Sequence, residues 1–545
     1  MTTLSSLSHA IVILFVEGFL LCGFLATFDY APEADASNRE NSYSPHLNGK
    51  PSSLPVTYTL YQDVHVMIWI GFGFLMTFLR RYGQSAIGLT FLLGAILVQV
   101  AIICEGVVHI GKDNKSYLSL KSLLSADVAV ATPLISMGAV LGKTTYMQLV
   151  FMGILELIMF TVNKYVGEHL LMVVDAGDSM FVHAFGAYFG LAVSFVLGMK
   201  GRPKEHHLEG PSYNSDIFAM IGLHVLKHPV LHRYRESKHL ADITREAYLL
   251  TEVEEWRTFG STGTVFLWLF WPSFNSAALE GDDQQRAIIN TFLSISASCV
   301  IAFATSGLVS KDSKFNMVHV QNSTLAGGVA IGTAAGMMCT PVGALIVGAL
   351  AGLLSVLGYK YLTVITRFFN STCSCNMASS SHSRSFLFAF QPLIQKRLRI
   401  HDTCGVHNLH GMPGVLAGIF GALMAGIATE SSYDYSLYEI FPARAPSTEA
   451  MLAEMRDNYG ISPGLNRTAG QQAAYQLLVL VITLGIAIVS GLITGLMMRM
   501  SICGSIPEEQ KFDDEAHWEL EEESLEESKT KEGNCSNDQL SMGHI

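Results

Sequence analysis

The sequence has few charged side chains and lacks the residue patterns that mark a soluble enzyme or a nucleic-acid-binding protein. Asp, Glu, Lys and Arg make up 15% of its 545 residues, against about a quarter in soluble domains. Half of the residues are hydrophobic and the mean hydropathy is +0.35. No basic patch is present, so a nucleic-acid partner is excluded. The composition is that of a chain whose main solvent is lipid.

Cysteine is scattered rather than patterned. The nine Cys residues form no Cys-x-x-Cys pair and share no repeated spacing with His. Such cysteines behave as small hydrophobic residues. Cys373 and Cys375 could be read as metal ligands, but no second pair stands nearby. The sequence therefore predicts no bound metal and no other cofactor.

Long apolar runs are what the sequence has instead. At roughly 20 residues a crossing, hydropathy indicates about twelve membrane spans. The run from Ile11 to Phe28 follows an N-terminus without Lys or Arg and has no persuasive cleavage site, which indicates a retained helix. We predict an all-α polytopic membrane protein with about 12 transmembrane helices in residues 1–504. The spans are 9–28, 60–80, 85–109, 122–142, 146–165, 176–199, 213–279 with an interruption, 286–308, 315–338, 341–363, 402–428 and 471–499.

Charge placement predicts the orientation. An even number of spans puts both termini on one side, and the basic clusters fall on that side, which the positive-inside rule makes cytoplasmic. The sequons at Asn114 and Asn466 then lie outside, so both are glycosylation candidates. The basic clusters are Arg80/Arg81, Lys143, Lys200/Arg202/Lys204, Lys311/Lys314 and Lys396/Arg397/Arg399.

The negative charge is concentrated at the C-terminus. Residues 505–545 carry 13 acidic side chains and three Lys, which accounts for ten of the twelve net negative charges. A charge run of this kind is typical of a solvated, disordered segment. We predict a disordered cytoplasmic tail over 505–545.

Ionisable residues inside membrane spans are rare and are functional candidates by default. Two segments have them in similar contexts: Asp175 precedes Val-His183, and Asp402 precedes Val-His407. In each segment a Gly follows the His by seven residues, on the same helix face. Because the copies lie in different halves of the chain, the sequence predicts that His183 and His407 meet near the midplane within hydrogen-bond reach.

Four segments carry a resemblance to a known family: DAGDSMFVHAFGAYFG, GGVAIGTAAGMM, WPSFNSA and DTCGVHNLHGMPG. They resemble the Rh glycoproteins of the ammonium transporter superfamily, and the resemblance extends from Leu7 to Cys503. It implies the ammonium-transporter fold, with two inverted halves related by a pseudo-two-fold axis around a central pore. It also implies a plasma-membrane homotrimer that is not an enzyme, whose subunits each pass ammonia, with carbon dioxide as a candidate second gas.

The resemblance also assigns roles to individual residues. It implies that His183 and His407 are the paired pore histidines, and that Asp175 organises an outer recruitment site for the cation. Asp175 can instead be a purely structural N-cap. Phe274 resembles the inner phenylalanine of the pore gate. The remaining predicted pore residues are Trp271, Asn275 and Asp402.

The sequence departs from the family pattern in the outer mouth and in two insertions. Val128 stands where relatives have an outer gate phenylalanine, and Lys164 where they often have Glu, which puts cation recruitment in doubt. Segments 223–263 and 364–391 have no counterpart in the family. Deleting either one joins its flanking residues into a continuous stretch that matches the family pattern. Each is either an unspliced intron in the gene or a genuine regulatory insertion.

Three functions compete. The leading one is an ammonia or ammonium channel. The alternative is a non-conducting Rh-like scaffolding protein whose acidic tail holds a cytoskeletal or regulatory partner. The third is a membrane enzyme with a metal on His183, His407 and His410, although His410 precedes Gly-Met-Pro and looks like a close-packing position.

Overall fold

Helices make up most of the described chain. The computed structural model describes residues 3–32, 34–35, 54–199, 206–221, 263–362, 400–448, 455–457, 460–500 and 504–520. The helices are α1 (Thr3–Thr27), α2 (Leu54–Val66), α3 (Gly83–Val108), α4 (Leu120–Val140), α5 (Tyr146–Tyr165), α6 (Phe185–Gly198), α7 (Tyr213–Ile221), α8 (Thr264–Ser276), α9 (Gly281–Val309), α10 (Met317–Ser323), α11 (Ala326–Gly332), α12 (Thr340–Leu357), α13 (Met412–Ile427), α14 (Glu430–Tyr433), α15 (Ser436–Ile440) and α16 (Ala469–Met498).

Wider π-helical turns extend or begin several of these helices. Such turns are uncommon and often lie at functional sites. Two of them, Ser179–Ala184 and His407–Gly411, lead directly into α6 and α13. The other π turns are Met67–Phe72 after α2, Val166–Leu170 after α5 and Gly358–Leu362 after α12. A short α turn (Gly73–Leu75) and a 3-10 turn (Met76–Phe78) complete α2, and further 3-10 turns are Lys311–Ser313, Pro442–Arg444, Glu508–Gln510 and Asp514–Ala516.

Nine helices of the described residues are long and apolar enough to cross a membrane. Each coincides with one of the twelve predicted spans, which confirms the polytopic all-α fold. They are Ala10–Thr27, Gly83–Val108, Leu120–Val140, Tyr146–Leu170, Ser179–Gly198, Gly281–Val309, Thr340–Leu362, His407–Ile427 and Ala469–Met498.

The other three predicted spans are broken helices. The span 60–80 changes helix type along α2, and the span 315–338 divides into α10 and α11. In the span 213–279, α7 and α8 flank residues 222–262, which are not described. A Cβ at Gly263 would lie 2.2 Å from the carbonyl oxygen of Ala219, so the two flanks abut. The predicted insertions 223–263, except Gly263, and 364–391 lie outside the described residues.

Small residues bring helix backbones into direct contact. On α12, a Cβ at Gly348 would lie 2.0 Å from the carbonyl oxygen of Ser294 on α9. One helical turn later, a Cβ at Gly352 would lie 2.5 Å from the carbonyl oxygen of Ser298. Larger side chains at these two positions would push α9 and α12 apart.

Two short strands, β1 (Phe28–Tyr30) and β2 (Ser116–Leu118), join the end of α1 to the segment before α4. They pair in parallel, with Phe28 opposite Ser116. The Phe28 ring packs where a Cβ at Gly106 of α3 would stand, 2.3 Å from the ring edge. This small sheet closes one side of a vestibule described below.

The first part of the C-terminal tail is docked rather than solvated. The backbone N–H of Phe512 donates to the carbonyl of Gly142, and the carboxylate of Asp514 accepts from the first N–H groups of α3 at Gln84 and Ser85. The Trp518 indole N–H donates to the Ser85 hydroxyl. The prediction of a disordered 505–545 tail is therefore wrong for residues 505–520, because a helix N-terminus and apolar anchors hold them. Residues beyond 520 are not described.

Candidate pore and its histidine pair

Asp175 caps the turn that begins α6. Its carboxylate accepts hydrogen bonds from the backbone N–H groups of Ser179, Met180 and Phe181, at 2.7 to 3.1 Å. The Thr333 hydroxyl donates a fourth at 2.5 Å. These bonds engage both carboxylate oxygens, so Asp175 sits as a buried N-terminal cap, one of the two roles that the sequence leaves open.

Asp402 caps the turn that begins α13 in the same way. Its carboxylate accepts from the N–H groups of Val406 and His407, at 2.9 and 3.0 Å. In both copies the capped N–H groups begin four residues after the acid, and both acids lead into a π turn. Both halves thus begin the helix that follows the histidine with the same kind of acid cap, as the internal repeat predicts.

The structure pairs His183 with His410, not with His407. Their Nδ1 atoms are 3.2 Å apart, and their rings stack with centroids 5.1 Å apart and planes inclined by 15°. Both rings are buried, at 1% and 4% exposure. The predicted His183–His407 pair is therefore wrong. The reason is register: counted from its capping acid, His183 is eighth and His410 is eighth, whereas His407 is fifth.

His407 has a different environment. Its backbone N–H is one of the two that Asp402 caps, and its ring meets Tyr188 edge to face with centroids 5.7 Å apart. Its Nδ1 is buried without a hydrogen-bond partner among the described residues. The Val-His dipeptide therefore does not mark the pairing position. His407 precedes His410 by three residues, and the helical rise over three residues displaces the His407 ring from the position opposite His183.

Aromatic rings continue the histidine pair on both sides. Trp271 and Phe274 of α8 lie against His183, with ring centroids 5.5 and 5.6 Å away. On the other side, Phe72 stacks on His410 at 6.3 Å. The His183 Nε2 and the Trp271 indole N–H are buried and lack partners among the described residues. Buried polar atoms are normally satisfied, so these two mark a place for a polar guest.

A vestibule of about 340 Å³ opens beside Val128. We call it the outer vestibule, after the orientation that the charge placement predicts. Its wall carries charges of both signs: Glu105 and Asp178 face Lys121 and Lys164. Val128 is 7% exposed, in the wall where the family resemblance implies an aromatic ring.

An inner vestibule of about 430 Å³ lies at the other end, with Asp402 and His319 in its wall. A narrow cavity of about 20 Å³ lies next to it and reaches His410. Asn322 and Cys404 line both spaces. A cavity of this size accommodates about one water-sized molecule. The described residues thus form a path from the inner vestibule to the histidine pair.

The sequence matches the model of the Ammonium Transporter Family over residues 46–228 and 255–522. This chain belongs to the ammonium transporter family. It is similar to the ammonium transporter Rh type B of Mus musculus, with 40% identity over 85% of this chain and 83% of the relative. It is also similar to the Rh type B transporter of Danio rerio, with 38% identity over 97% and 95% of the two chains. The family match leaves out residues 229–254, inside the first predicted insertion.

Solved structures of the family share the fold. The Rh50 channel of Nitrosomonas europaea matches 90% of this chain and 98% of its own with a TM-score of 0.60 and 26% identity. Mep2 of Saccharomyces cerevisiae matches 87% of this chain and 95% of its own with a TM-score of 0.52 and 15% identity, which supports the fold alone. The predicted ammonium-transporter fold is confirmed.

Asn275 differs from its predicted neighbours Trp271 and Phe274. Its side-chain N–H groups donate to the Thr291 hydroxyl and the Gly328 carbonyl, both at 3.0 Å. It is fully buried. These bonds connect α8 to α9 and α11, so Asn275 holds the helix that presents Phe274.

The structure also bears on the two glycosylation sequons and on metal binding. Asn114 and Asn466 are both exposed, and each has a positive φ. In the part of the chain that is described, no group of three or more His, Cys, Asp and Glu is placed to hold a metal ion. The family consists of transporters rather than enzymes.

The sequence did not identify two of the rings stacked around the histidine pair, His410 and Phe72. His410 had a usable signal, because counting eight residues from each capping Asp gives His183 and His410. Phe72 had none. It is one of several aromatic residues in the span 60–80, and only the contact between the π turns Met67–Phe72 and His407–Gly411 selects it.

Proposed function

We propose that this protein conducts ammonia across a membrane, and that the neutral molecule passes the histidine pair. The observation that carries the proposal is the pair itself. His183 and His410 are buried, stacked and 3.2 Å apart, and the His183 Nε2 lacks a partner among the described residues. Mouse and zebrafish relatives are named ammonium transporters, and Rh50 of Nitrosomonas europaea is described as a member of the Rhesus family of channels.

The surroundings of the pair favour a neutral guest. Moving an ion into an apolar interior without a partner costs far more than moving a neutral polar molecule, which loses only hydrogen bonds. Phe72, Trp271 and Phe274 surround the imidazoles, and none of these rings carries a compensating charge. Ammonium therefore releases its proton to the solvent of the outer vestibule before it reaches His183, and ammonia continues inward.

The histidines replace part of the hydration of ammonia. A neutral imidazole has one donor nitrogen and one acceptor nitrogen. If the His183 and His410 Nδ1 atoms share one proton, one imidazole offers a donor to the guest and the other offers a lone pair. Ammonia, which both donates and accepts, can meet each in turn. The narrow cavity of about 20 Å³ beside His410 then leads to the inner vestibule.

The carboxylates near the pore act mainly as caps in this proposal. Asp175 accepts four hydrogen bonds and has no free oxygen to offer a cation. Its role is to fix the turn that carries His183. Asp402 does the same for His410 from the wall of the inner vestibule.

The finer expectations from the sequence follow as part of the same proposal. The protein assembles as a homotrimer in the plasma membrane with both termini cytoplasmic, and Asn114 or Asn466 carries a glycan. Carbon dioxide is a second candidate gas. Glycosidase treatment of the two Asn→Gln variants and the mass of the detergent-solubilised complex test these points directly.

Conduction is tested in proteoliposomes. An inward ammonium gradient should alkalinise the lumen faster than in protein-free vesicles, because entering ammonia takes up a proton. The His183→Ala variant should fall to near the rate of protein-free vesicles while the protein still purifies as the same oligomer. If the wild-type protein gives no alkalinisation above that rate, the non-conducting scaffold is the better function.

A further inference from the structure

A lysine ammonium group already lies against an acidic side chain in the outer vestibule. The Lys164 ammonium, on the last turn of α5, lies 2.9 and 3.0 Å from the two carboxylate oxygens of Asp178. Glu168 is 3.6 Å away, and the Phe160 ring centroid is 6.0 Å away. The Asp178 side chain is 8% exposed and that of Lys164 is 27% exposed. The pair thus lies in the vestibule wall rather than in bulk water.

The chemistry of this contact is that of a bound alkylammonium. A lysine side chain ends in a primary ammonium with three N–H donors and one alkyl substituent, as methylammonium does. Two carboxylate oxygens, a second carboxylate and a nearby ring face are the groups that hold such a cation. The Lys164 ammonium therefore shows that this pocket accommodates the cation class that the channel would collect.

We propose that Lys164 is a tethered competitor for the outer cation site, and that Asp178 with Glu168 binds ammonium when Lys164 is removed. The inference rests on the proposed function, since it concerns the cation that precedes ammonia. The tethered ammonium neutralises Asp178 and fills the place of a free one. The wild-type protein therefore works at high ammonium and has a weak apparent affinity for it.

Asp178 also has a structural role, which the test must separate from binding. Its backbone is left-handed, with φ 50°, and its carbonyl accepts from the N–H groups of Val182 and His183. A purely structural Lys164 would stabilise this turn and have no effect on cation affinity. A binding readout that compares ammonium with sodium distinguishes the two roles.

The central variant is Lys164→Met, which keeps the length of the side chain and removes the ammonium. The matched control is Lys121→Met. Lys121 lies in the same vestibule wall, 3.6 Å from Glu280 and 70% exposed. Both changes remove one positive charge from the outer mouth, but only one exposes Asp178. Lys164→Gln is the second variant if Lys164→Met folds poorly, because its amide can still donate to Asp178.

Binding is measured as the rise in Tm of the purified protein with ammonium chloride over sodium chloride at equal ionic strength. Lys164→Met should respond at ammonium concentrations about tenfold lower than the wild type does, the effect of one charge-assisted contact. The KM for ammonium-driven flux should fall by a similar factor. Lys121→Met should behave as the wild type.

Two results would overturn the proposal. Equal gains in Lys164→Met and Lys121→Met would mean that the overall vestibule charge, rather than a vacated site, sets the affinity. A gain that persists in Lys164→Met/Asp178→Asn would put the cation elsewhere. If no variant conducts ammonia, the proposed function fails, whereas the ammonium-specific change in Tm still decides whether the site exists.

Discussion

Both halves of the pore begin the helix after the histidine with an acid cap, but they use their acidic side chains differently. In the outer half, Asp175 caps the turn and Asp178, three residues later, faces the vestibule. In the inner half, Asp402 both caps the turn and lines the vestibule. The outer half therefore has a carboxylate to spare for an ion, which Lys164 engages. In the inner half, the acid that begins the histidine helix, Asp402, is itself committed to structure.

The inner half is also braced by a loop and by the docked tail at its own end of the pore. Lys143 lies between α4 and α5, and its ammonium donates to the His401 carbonyl at 2.6 Å, next to Asp402. Burial lowers the pKa of Lys143 to about 8 despite the attraction of Glu209 and Asp402. The docked tail lies directly over this point, because the Phe512 ring packs on Gly142. The inner cap is thus supported by loops and tail, whereas the outer cap is supported by Thr333, the residue directly after α11.

The largest expected effect is on ammonia flux, and it comes from removing the histidine of the inner half. His410→Ala should abolish ammonia flux, lowering it by more than about tenfold, because it removes half of the imidazole pair. His407→Ala should retain flux within about twofold, since His407 contacts Tyr188 and not His183. Stopped-flow alkalinisation of proteoliposomes measures both. Equal losses in the two variants would contradict the register that the caps define.

The next effect compares the caps themselves. Asp175→Ala leaves three backbone N–H groups and a hydroxyl without their acceptor, and should cost about 3 kcal/mol. Asp402→Ala leaves two N–H groups next to a wet vestibule, and should cost about 1 to 2 kcal/mol. Thermal unfolding in detergent should give the lower Tm for Asp175→Ala. The Asp→Asn variants are the controls, because an amide oxygen can still cap.

Much of this architecture is predictable from local patterns. Hydropathy finds the spans because lipid demands about 20 apolar residues a crossing. Glycine-rich segments predict close helix packing, as at Gly348 and Gly352. His183 and Asp175 stand out because polar groups are rare at membrane depth. These signals are local, so a single sequence is enough to find them.

The rest depends on register and on distant contacts. The repeated Val-His dipeptide favours His407, whereas the distance from the capping acid selects His410, and only the distance has a structural cause. The acidic side chains of the tail mask three specific anchors, Phe512, Asp514 and Trp518, whose partners lie more than 350 residues earlier. Only a folded chain shows that an acidic residue of the tail meets the N-terminus of α3.

A smaller effect tests the outer gate. With Val128 in place of a ring, the aromatic residues that lie against His183 on that side are Phe274 and Trp271 of α8. A smaller side chain leaves space that water can enter. Val128→Phe should therefore sharpen discrimination against methylammonium by about two- to fivefold. Flux ratios of ammonium to methylammonium measure it, with Val128→Leu as the control for added volume. Unchanged ratios would mean that Val128 does not gate.

A final effect concerns the brace on the inner half, which lies outside the pore itself. Burial lowers the pKa of His517 to about 4, and its ring lies against Tyr82 and Tyr146. Because docking favours the neutral imidazole, the docked tail keeps its full stability above pH 6.5. It loses about 1.4 kcal/mol per pH unit as the pH falls from 6.5 towards 4.

Asp514 works against this loss. Its pKa is raised by burial, so protonation of its carboxyl favours the docked state at low pH. The His517 effect is therefore cleanest between pH 7 and 5.5. The Phe512 and Trp518 amides are both hydrogen-bonded in the docked tail, and their protection against hydrogen exchange should fall as the pH drops from 7 to 5.5, once each rate is divided by the intrinsic base-catalysed rate at that pH. His517→Gln should remove most of this loss of protection. Should the variant keep the full pH response, a group other than His517 controls how firmly the tail braces the inner cap.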